Sequence, residues 1–228
     1  MTIDPADCDD KDPIEKHLQT EAEAFIDQSM YALKYLYKVL PLQIKALEDI
    51  SKKIKDLEQQ EQIQHLIFQE RDQWSPSANH LYIRYWERVN AIVKGKKALL
   101  TDPSNTDELR RLLARIGATE VSMSVLGGAI LQIAKQALSF RFGSKPNLSG
   151  ARLVGSQSII EIIWEGRNHA AHWEERNPKL PVKNMLIKLQ NELSIPIQTD
   201  KNNSLNIIYA LGWKTVDNVV SDLKALVK

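Results

Sequence analysis

The chain has 228 residues and a formal net charge of +1, because 30 Lys+Arg are balanced by 29 Asp+Glu. At this length, and with 43% hydrophobic and 26% charged residues, the composition is that of a soluble globular protein that needs no metal or disulfide to hold its core. The balanced charge argues against a protein that coats nucleic acid or anionic membrane by bulk electrostatics, so any nucleic-acid contact depends on a local patch.

The cysteine content and the N-terminus bear on the cellular compartment. Cys8 is the single cysteine, and it lies in an acidic segment over residues 1–12 that we expect to be disordered. One thiol excludes an internal disulfide framework and a cysteine-rich zinc site. The N-terminus lacks the pattern of a secretory signal, and the most apolar stretch, residues 121–134, is short for a membrane span and contains Gln132. We therefore expect a cytoplasmic protein that does not enter the membrane.

Helical periodicity begins near the N-terminus. From Leu18 onward, apolar and small residues recur at alternating spacings of four and three, which places them on one seam of a helix: Ala22, Phe25, Ser29, Ala32, Leu36 and Val39. The stripe continues beyond Pro41 through Leu47, Ile50, Ile54 and Leu57. Proline removes a backbone donor, so we predict that Pro41 ends the first helix and that a second helix follows it.

Further helices are predicted in the middle of the chain. One spans residues 77–100, and the next begins at the Asp102-Pro103 N-cap signal and ends near Gly143. Another helix opens at Ser158, where the sequence fits a capping box, and it ends before Pro178.

The C-terminal part is predicted to be a helical elaboration that begins at about residue 180. It contains a helix over residues 181–193, a small β-hairpin within residues 195–209 and a last helix capped by Thr215. The predicted fold class is therefore an all-α, up-and-down helical bundle with extra C-terminal helices, formed as a single domain over residues 13–228.

One segment concentrates polar chemistry in a chain that lacks glycine-rich phosphate loops, paired-cysteine sites and the common hydrolase motifs. Residues 165–174, with the sequence EGRNHAAHWE, hold two histidines, an arginine, an asparagine and two acids near the end of an apolar helix. Here the chain resembles the HEPN superfamily (higher eukaryotes and prokaryotes nucleotide-binding), whose members are helical bundles. These proteins carry an arginine, a polar residue after it, and a histidine after four to six intervening residues. Arg167, Asn168 and His172 match that pattern.

The resemblance implies a metal-independent endoribonuclease without a cofactor. In such an enzyme the RNA 2′-hydroxyl attacks the adjacent phosphodiester, leaving a 2′,3′-cyclic phosphate and a 5′-hydroxyl. His172 would transfer the proton, Arg167 would stabilise the phosphate charge, and Asn168 would orient either group. His169, Arg152 and Arg176 are weaker candidates for substrate binding.

The resemblance also implies partners and a biological role. Family members are typically homodimers with the active site at the interface, and they act in growth arrest or antiviral defence, often with an antitoxin or a nucleotidyltransferase-like partner. Some toxin members carry a tyrosine two residues after the histidine, where a partner attaches nucleotide. This chain has Glu174 at that position, so the resemblance does not extend to that modification.

Helix geometry restricts how the motif can work. Residues five apart on a continuous helix differ by about 140° in direction, so Arg167 and His172 would not point to one spot. Either Gly166 interrupts the helix, or two copies of the chain converge across a two-fold axis.

Two alternatives use the same segment differently. Glu165, His169 and His172 fall at i, i+4 and i+7 and could form a three-ligand metal stripe in a helical bundle. The other alternative is a HEPN-like scaffold that binds nucleotide or protein without catalysis.

Overall fold

A computed structural model of the chain describes residues 13–60, 106–146, 150–175, 177–198 and 201–228. In these residues the fold is an all-α helical bundle with one short β-hairpin, which confirms the predicted fold class. The elements in chain order are α1 (Pro13–Gln60), α2 (Thr106–Phe142), β1 (Leu153–Val154), β2 (Gln157–Ser158), α3 (Ile159–His172), a 3₁₀ turn (Trp173–Glu175), α4 (Leu180–Leu193), α5 (Ser204–Ala210) and α6 (Val216–Val227). The predicted N-terminal segment 1–12, the helix predicted over 77–100 and the N-cap predicted at 102–103 lie outside the described residues.

Helix α1 continues through Pro41, so the predicted helix end at this residue is wrong. Proline in a helix interior costs about 3 kcal/mol. Leu40 and Leu47, on either side of it, are buried, and burying a leucine side chain contributes about 1.5–3 kcal/mol. The buried side chains therefore offset the cost of the proline.

The buried seam of α1 lies one residue away from much of the predicted seam. It repeats every seven residues through Ile26, Leu33, Leu40, Leu47 and Ile54. The predicted Phe25 is only half-buried and Ala32 is exposed, whereas Ala22 is buried as predicted. Apolar residues occupy both registers in this part of α1, and their spacing alone does not indicate which register is buried.

Helix α2 ends where the sequence predicts. Its last residue is Phe142, and Gly143 follows with a φ of +68°, a conformation that glycine adopts without steric cost. By length and composition, the stretch Arg111–Phe142 is the one helix in the described part of the chain that could cross a membrane, and 28% of its most apolar window is buried. Ile130 and Leu131 in this helix are fully buried in a protein core, so the helix is compatible with a soluble protein.

The hairpin occurs at β1–β2 rather than within residues 195–209, where it was predicted. Leu153 pairs with Ser158 and Val154 with Gln157 in antiparallel register. The predicted strand residues Leu205 and Ile207 lie instead in helix α5, where both are buried. The alternation of apolar residues there is too short to distinguish a strand from a buried helical turn.

Helices α4 and α6 agree with the predictions. Helix α4 covers the predicted range, and α6 begins after Thr215, whose side chain accepts a hydrogen bond from the Asn218 backbone N–H. The Asn218 side chain accepts one in return from the Thr215 backbone N–H, which completes a capping box.

The chain divides into two compact units. The first consists of Met1–Tyr37 and Gly127–Lys228, and the second consists of Lys38–Leu126. The core of the first unit is built from the part of α1 before Lys38, the C-terminal part of α2, β1 and helices α3 to α6, with Ile162, Ile163 and Trp213 among its most buried side chains. The segment with the HEPN-like pattern belongs entirely to this first unit.

Candidate functional site

Helix α3 carries the polar segment, and its N-terminal half anchors it. Helix α3 begins where the sequence predicts, and the Ser158 hydroxyl caps it by accepting a hydrogen bond from the Ile160 backbone N–H at 3.3 Å. The isoleucines of the first turns are buried in the core of the first unit: Ile159, Ile160, Ile162 and Ile163. The buried turns fix the orientation of the C-terminal half, which holds Arg167, Asn168 and His172.

Gly166 does not interrupt the helix. Helix α3 is continuous from Ile159 to His172. A Cβ atom at Gly166 would lie 3.0 Å from Ile207 Cγ2 of helix α5, so glycine permits the close packing of the two helices. The helix therefore has no break that would turn Arg167 towards His172.

The outer side of α3 forms what we call the motif stripe, made of Trp164, Arg167, Asn168, Ala171 and His172. Ala171 and His172 are exposed and the other three are half-buried. At about 100° per residue, Arg167 and His172 lie at opposite edges of this stripe, about 140° apart, with Asn168 between them. All three residues of the HEPN-like pattern therefore face outward on one surface.

Gln132 of helix α2 holds Arg167. The Arg167 Nε–H donates to Gln132 Oε1 at 2.6 Å, and Gln132 Nε2 donates to Gln136 Oε1 at 3.2 Å. Among the described residues, Gln132 is the one side chain that bonds Arg167. The guanidinium is thereby oriented through Nε while its terminal N–H groups stay available to an anion.

Glu165 and Asn168 form a second polar group on α3. The Glu165 carboxylate is buried, accepting from Lys145 Nζ at 2.8 Å and from Asn168 Nδ2 at 3.2 Å. Lys145 follows helix α2, so this ion pair ties the loop after α2 to α3. The bond to Glu165 also fixes the Asn168 amide, with its oxygen available as an acceptor.

His172 is paired with a carboxylate at the end of the motif stripe. Its Nδ1 lies 2.8 Å from Glu175 Oε1 in the 3₁₀ turn, and its side chain is 61% exposed. When Nδ1 carries the proton and donates it to Glu175, Nε2 is left as an acceptor facing solvent. This is the arrangement that a histidine needs to take a proton from a hydroxyl group.

His169, predicted as a weaker candidate for substrate binding, is buried and does not line the motif stripe. Its Nε2 accepts a hydrogen bond from the Asn203 backbone N–H at 3.0 Å, and burial lowers the pKa of His169 to about 4. Asn203 in turn bonds the backbone of Gln198 and Lys201. His169 therefore anchors the loop before α5 as a neutral side chain.

Arg152, a second predicted substrate-binding residue, lies away from the motif stripe. Arg152 forms an ion pair with Asp222 at 2.6 Å and donates to the Leu211 carbonyl. It precedes α3, whereas His172 ends that helix, about 20 Å away along the axis. Arg176 lies outside the described residues.

The three residues of the alternative metal stripe do not form a common metal site. Glu165 is held by Lys145, His169 by Asn203 and His172 by Glu175, so the three proposed ligands have separate partners. Over the described ranges, no group of three or more His, Cys, Asp or Glu side chains is placed to hold a metal ion.

No family model, curated protein sequence or solved structure matches the chain. What these residues do is inferred from their own geometry.

Proposed function

We propose that the chain is a HEPN-like, metal-independent endoribonuclease whose active site is the motif stripe. The observation that carries the proposal is that Arg167, Asn168 and His172 share the outer surface of α3 while His169, the other histidine of the segment, is buried. The three residues that the resemblance assigns to catalysis therefore face outward, whereas the histidine to which it assigns no role is buried.

Each side chain has a role consistent with its partners. His172, with Nδ1 against Glu175, takes the proton from the RNA 2′-hydroxyl as its oxygen attacks the adjacent phosphorus. Arg167, oriented by Gln132, donates its terminal N–H groups to the phosphate as negative charge develops. Asn168 binds a phosphate oxygen or orients the attacking group. The bond between phosphorus and the 5′-oxygen breaks, the 5′-oxygen takes a proton from solvent, and the products carry a 2′,3′-cyclic phosphate and a 5′-hydroxyl.

The continuous helix favours a site shared by two copies. Because Arg167 and His172 lie at opposite edges of the stripe, one phosphate cannot easily be reached by both from one chain. A two-fold axis through the stripe would place His172 of one copy near Arg167 of the other. We propose a homodimer of this kind, acting on RNA in the cytoplasm as a toxin or defence effector, with an antitoxin or a nucleotidyltransferase-like protein as its partner.

The proposal is tested by RNA cleavage with single variants. His172→Ala removes the proton acceptor and should lower the cleavage rate by about 10²–10⁴-fold, and Arg167→Ala should lower it by a similar factor. A matched control is His17→Ala, because His17 is another exposed histidine, 72% exposed, that contacts a glutamate, Glu21, at 3.3 Å. The control should cleave as the wild type does.

Two results would contradict the proposal. Equal rates for His172→Ala and His17→Ala would remove the motif stripe from the reaction. RNA binding without cleavage at high protein concentration would instead favour the non-catalytic scaffold.

A further inference from the structure

Two cations lie at the edge of the motif stripe. Lys135 of helix α2 places its Nζ 4.6 Å from the ring centroid of Trp164, and Arg167 bonds Gln132, which precedes Lys135 by about one turn of α2. Both side chains are half-buried. Burial lowers the pKa of Lys135, and the positive charge of Arg167 lowers it further, while Glu165 acts in the opposite direction. The two positive charges therefore repel each other in the folded protein.

The nearby carboxylate, that of Glu165, already has two hydrogen-bond partners. Glu165 accepts from Lys145 and from Asn168, one with each oxygen. Within the described ranges, no carboxylate lies within ion-pair distance of Lys135 or Arg167. The Glu165–Lys145 pair is neutral as a unit, so the two cations leave an uncompensated charge of about +2 at this edge of the stripe.

We propose that Lys135 and Arg167 together bind one phosphate of a single-stranded RNA, and that Lys135 is a substrate-binding residue of the site. Arg167 offers a planar pair of donors and Lys135 a point charge, which are the two common ways in which proteins bind phosphate. An anion between them would relieve their repulsion, and Trp164 keeps the Lys135 ammonium in place through its ring face. This inference rests on the proposed function, because it names a contact of the same site.

A phosphate is favoured over an acidic protein for a geometric reason. One cation lies on helix α2 and the other on helix α3, and Arg167 shares its surface of α3 with the half-buried Asn168 and the exposed His172. A strand of RNA running along α3 would place one phosphate on the cations and the next part of the strand on Asn168 and His172. A carboxylate side chain would pair with the cations but would make no contact with the rest of the stripe.

The test is RNA binding as a function of salt concentration, measured with a fluorescent single-stranded RNA in a His172→Ala background so that the RNA stays intact. Each phosphate contact contributes about −0.7 to the slope of log K against log salt for single strands. Lys135→Gln should reduce the magnitude of the slope by at most about 0.7, because Arg167 still contacts the shared phosphate, and should weaken binding by about 5–10-fold at low salt. Lys183→Gln, at an exposed lysine of helix α4, is the matched control and should leave both quantities unchanged.

A second variant tests the charge itself. Gln132→Glu keeps the shape of the side chain that bonds Arg167 but supplies the missing carboxylate at 2.6 Å from Arg167 Nε. It should weaken RNA binding by a similar factor, although it removes no cation. Circular dichroism of each variant should match the wild type.

The outcomes separate this inference from the proposed function. If the wild type cleaves RNA but Lys135→Gln and Gln132→Glu bind as Lys183→Gln does, the inference is wrong and the function stands. If RNA binds with the predicted dependence on Lys135 but is never cut, the inference stands and the function is wrong. Failure to bind RNA, or binding of polyglutamate in its place through Lys135, overturns the inference.

Discussion

Two histidines three positions apart on α3 have opposite surroundings. His169 is 4% exposed and accepts a backbone hydrogen bond, whereas the His172 side chain is 61% exposed and faces a carboxylate. Neutral imidazole can accept the bond from Asn203, but protonated imidazole cannot, and its charge would be buried. The two residues therefore differ in what protonation does to them, and of the two only His172 is open to solvent.

At the residue scale, we predict that acid weakens the fold through His169. Because burial lowers its pKa from 6.5 to about 4, the unfolded chain binds this proton more readily than the folded chain. This contribution to the free energy of unfolding is complete above about pH 6.5 and is lost as the pH falls towards 4, by up to about 3 kcal/mol. Urea unfolding at about pH 7 and about pH 4.5 measures the loss.

The control for this prediction is a pair of alanine variants. His169→Ala should be destabilised by about 1–3 kcal/mol at neutral pH because the Asn203 N–H loses its acceptor, and its difference from wild type should shrink in acid. His172→Ala should stay within about 0.5 kcal/mol of wild type at neutral pH because the side chain is exposed. An undiminished difference between wild type and His169→Ala in acid would contradict the assignment.

At the scale of elements, two glycines of α2 are predicted to respond oppositely to alanine. A Cβ at Gly127 would lie 2.9 Å from the Leu205 backbone nitrogen and 3.0 Å from the Ser204 carbonyl carbon, so Gly127→Ala should cost about 1–3 kcal/mol. At Gly117 a Cβ meets no described atom within 4 Å, and Gly117→Ala should raise helix stability by about 0.5–1 kcal/mol.

Thermal unfolding of both variants beside the wild type measures this difference. A Gly127→Ala protein as stable as Gly117→Ala would mean that α2 and α5 are not as closely packed as described. The comparison is internal to one helix, so differences in helix propensity between helices do not enter.

The elements also show which structural features local sequence can predict. Caps act through neighbouring residues, so Ser158, Gly143 and Thr215 marked helix ends correctly. The effect of Pro41 depends on side chains buried around it, and the helical state of residues 204–210 depends on core contacts from other parts of the chain. Neither dependence is visible in spacing alone.

The same distinction holds for the site. Glu165 and His172 are seven residues apart and lie on nearly the same side of α3, so their angular positions do not separate the buried carboxylate from the exposed histidine. Their different burial depends on which other parts of the chain pack against each turn of the helix. Gln132 was missed as a partner of Arg167 because the two are far apart in sequence. Its signal was present as a glutamine in the apolar stretch 121–134, a position where a polar side chain usually has a bonding partner.

At the scale of the whole molecule, we predict a homodimer with the motif stripes of its two copies facing each other. Ala171 is exposed in the middle of the stripe, so it should lie near its own copy across the two-fold axis. Since Cys8 is the single native cysteine, an Ala171→Cys variant in a Cys8→Ser background has one thiol per chain. A short bis-maleimide should link it into dimers efficiently.

A cysteine elsewhere on the surface provides the control. Lys183→Cys on α4, in the same background, should give little cross-linked dimer. A monomer in sedimentation analysis, or cross-linking through position 183 but not through position 171, would contradict the shared site.

The central claim is that the motif stripe cleaves RNA without a metal ion, by attack of the RNA 2′-hydroxyl on the adjacent phosphodiester. The most direct measurement is the end chemistry of the products, determined by mass spectrometry after wild-type protein has acted on an unstructured RNA in excess chelator. The account predicts fragments that end in 2′,3′-cyclic phosphate and begin with 5′-hydroxyl, and no cleavage of a DNA strand of the same sequence. Cleavage that stops in chelator and returns with zinc, manganese or iron, or cutting of the DNA strand at a comparable rate, would contradict it.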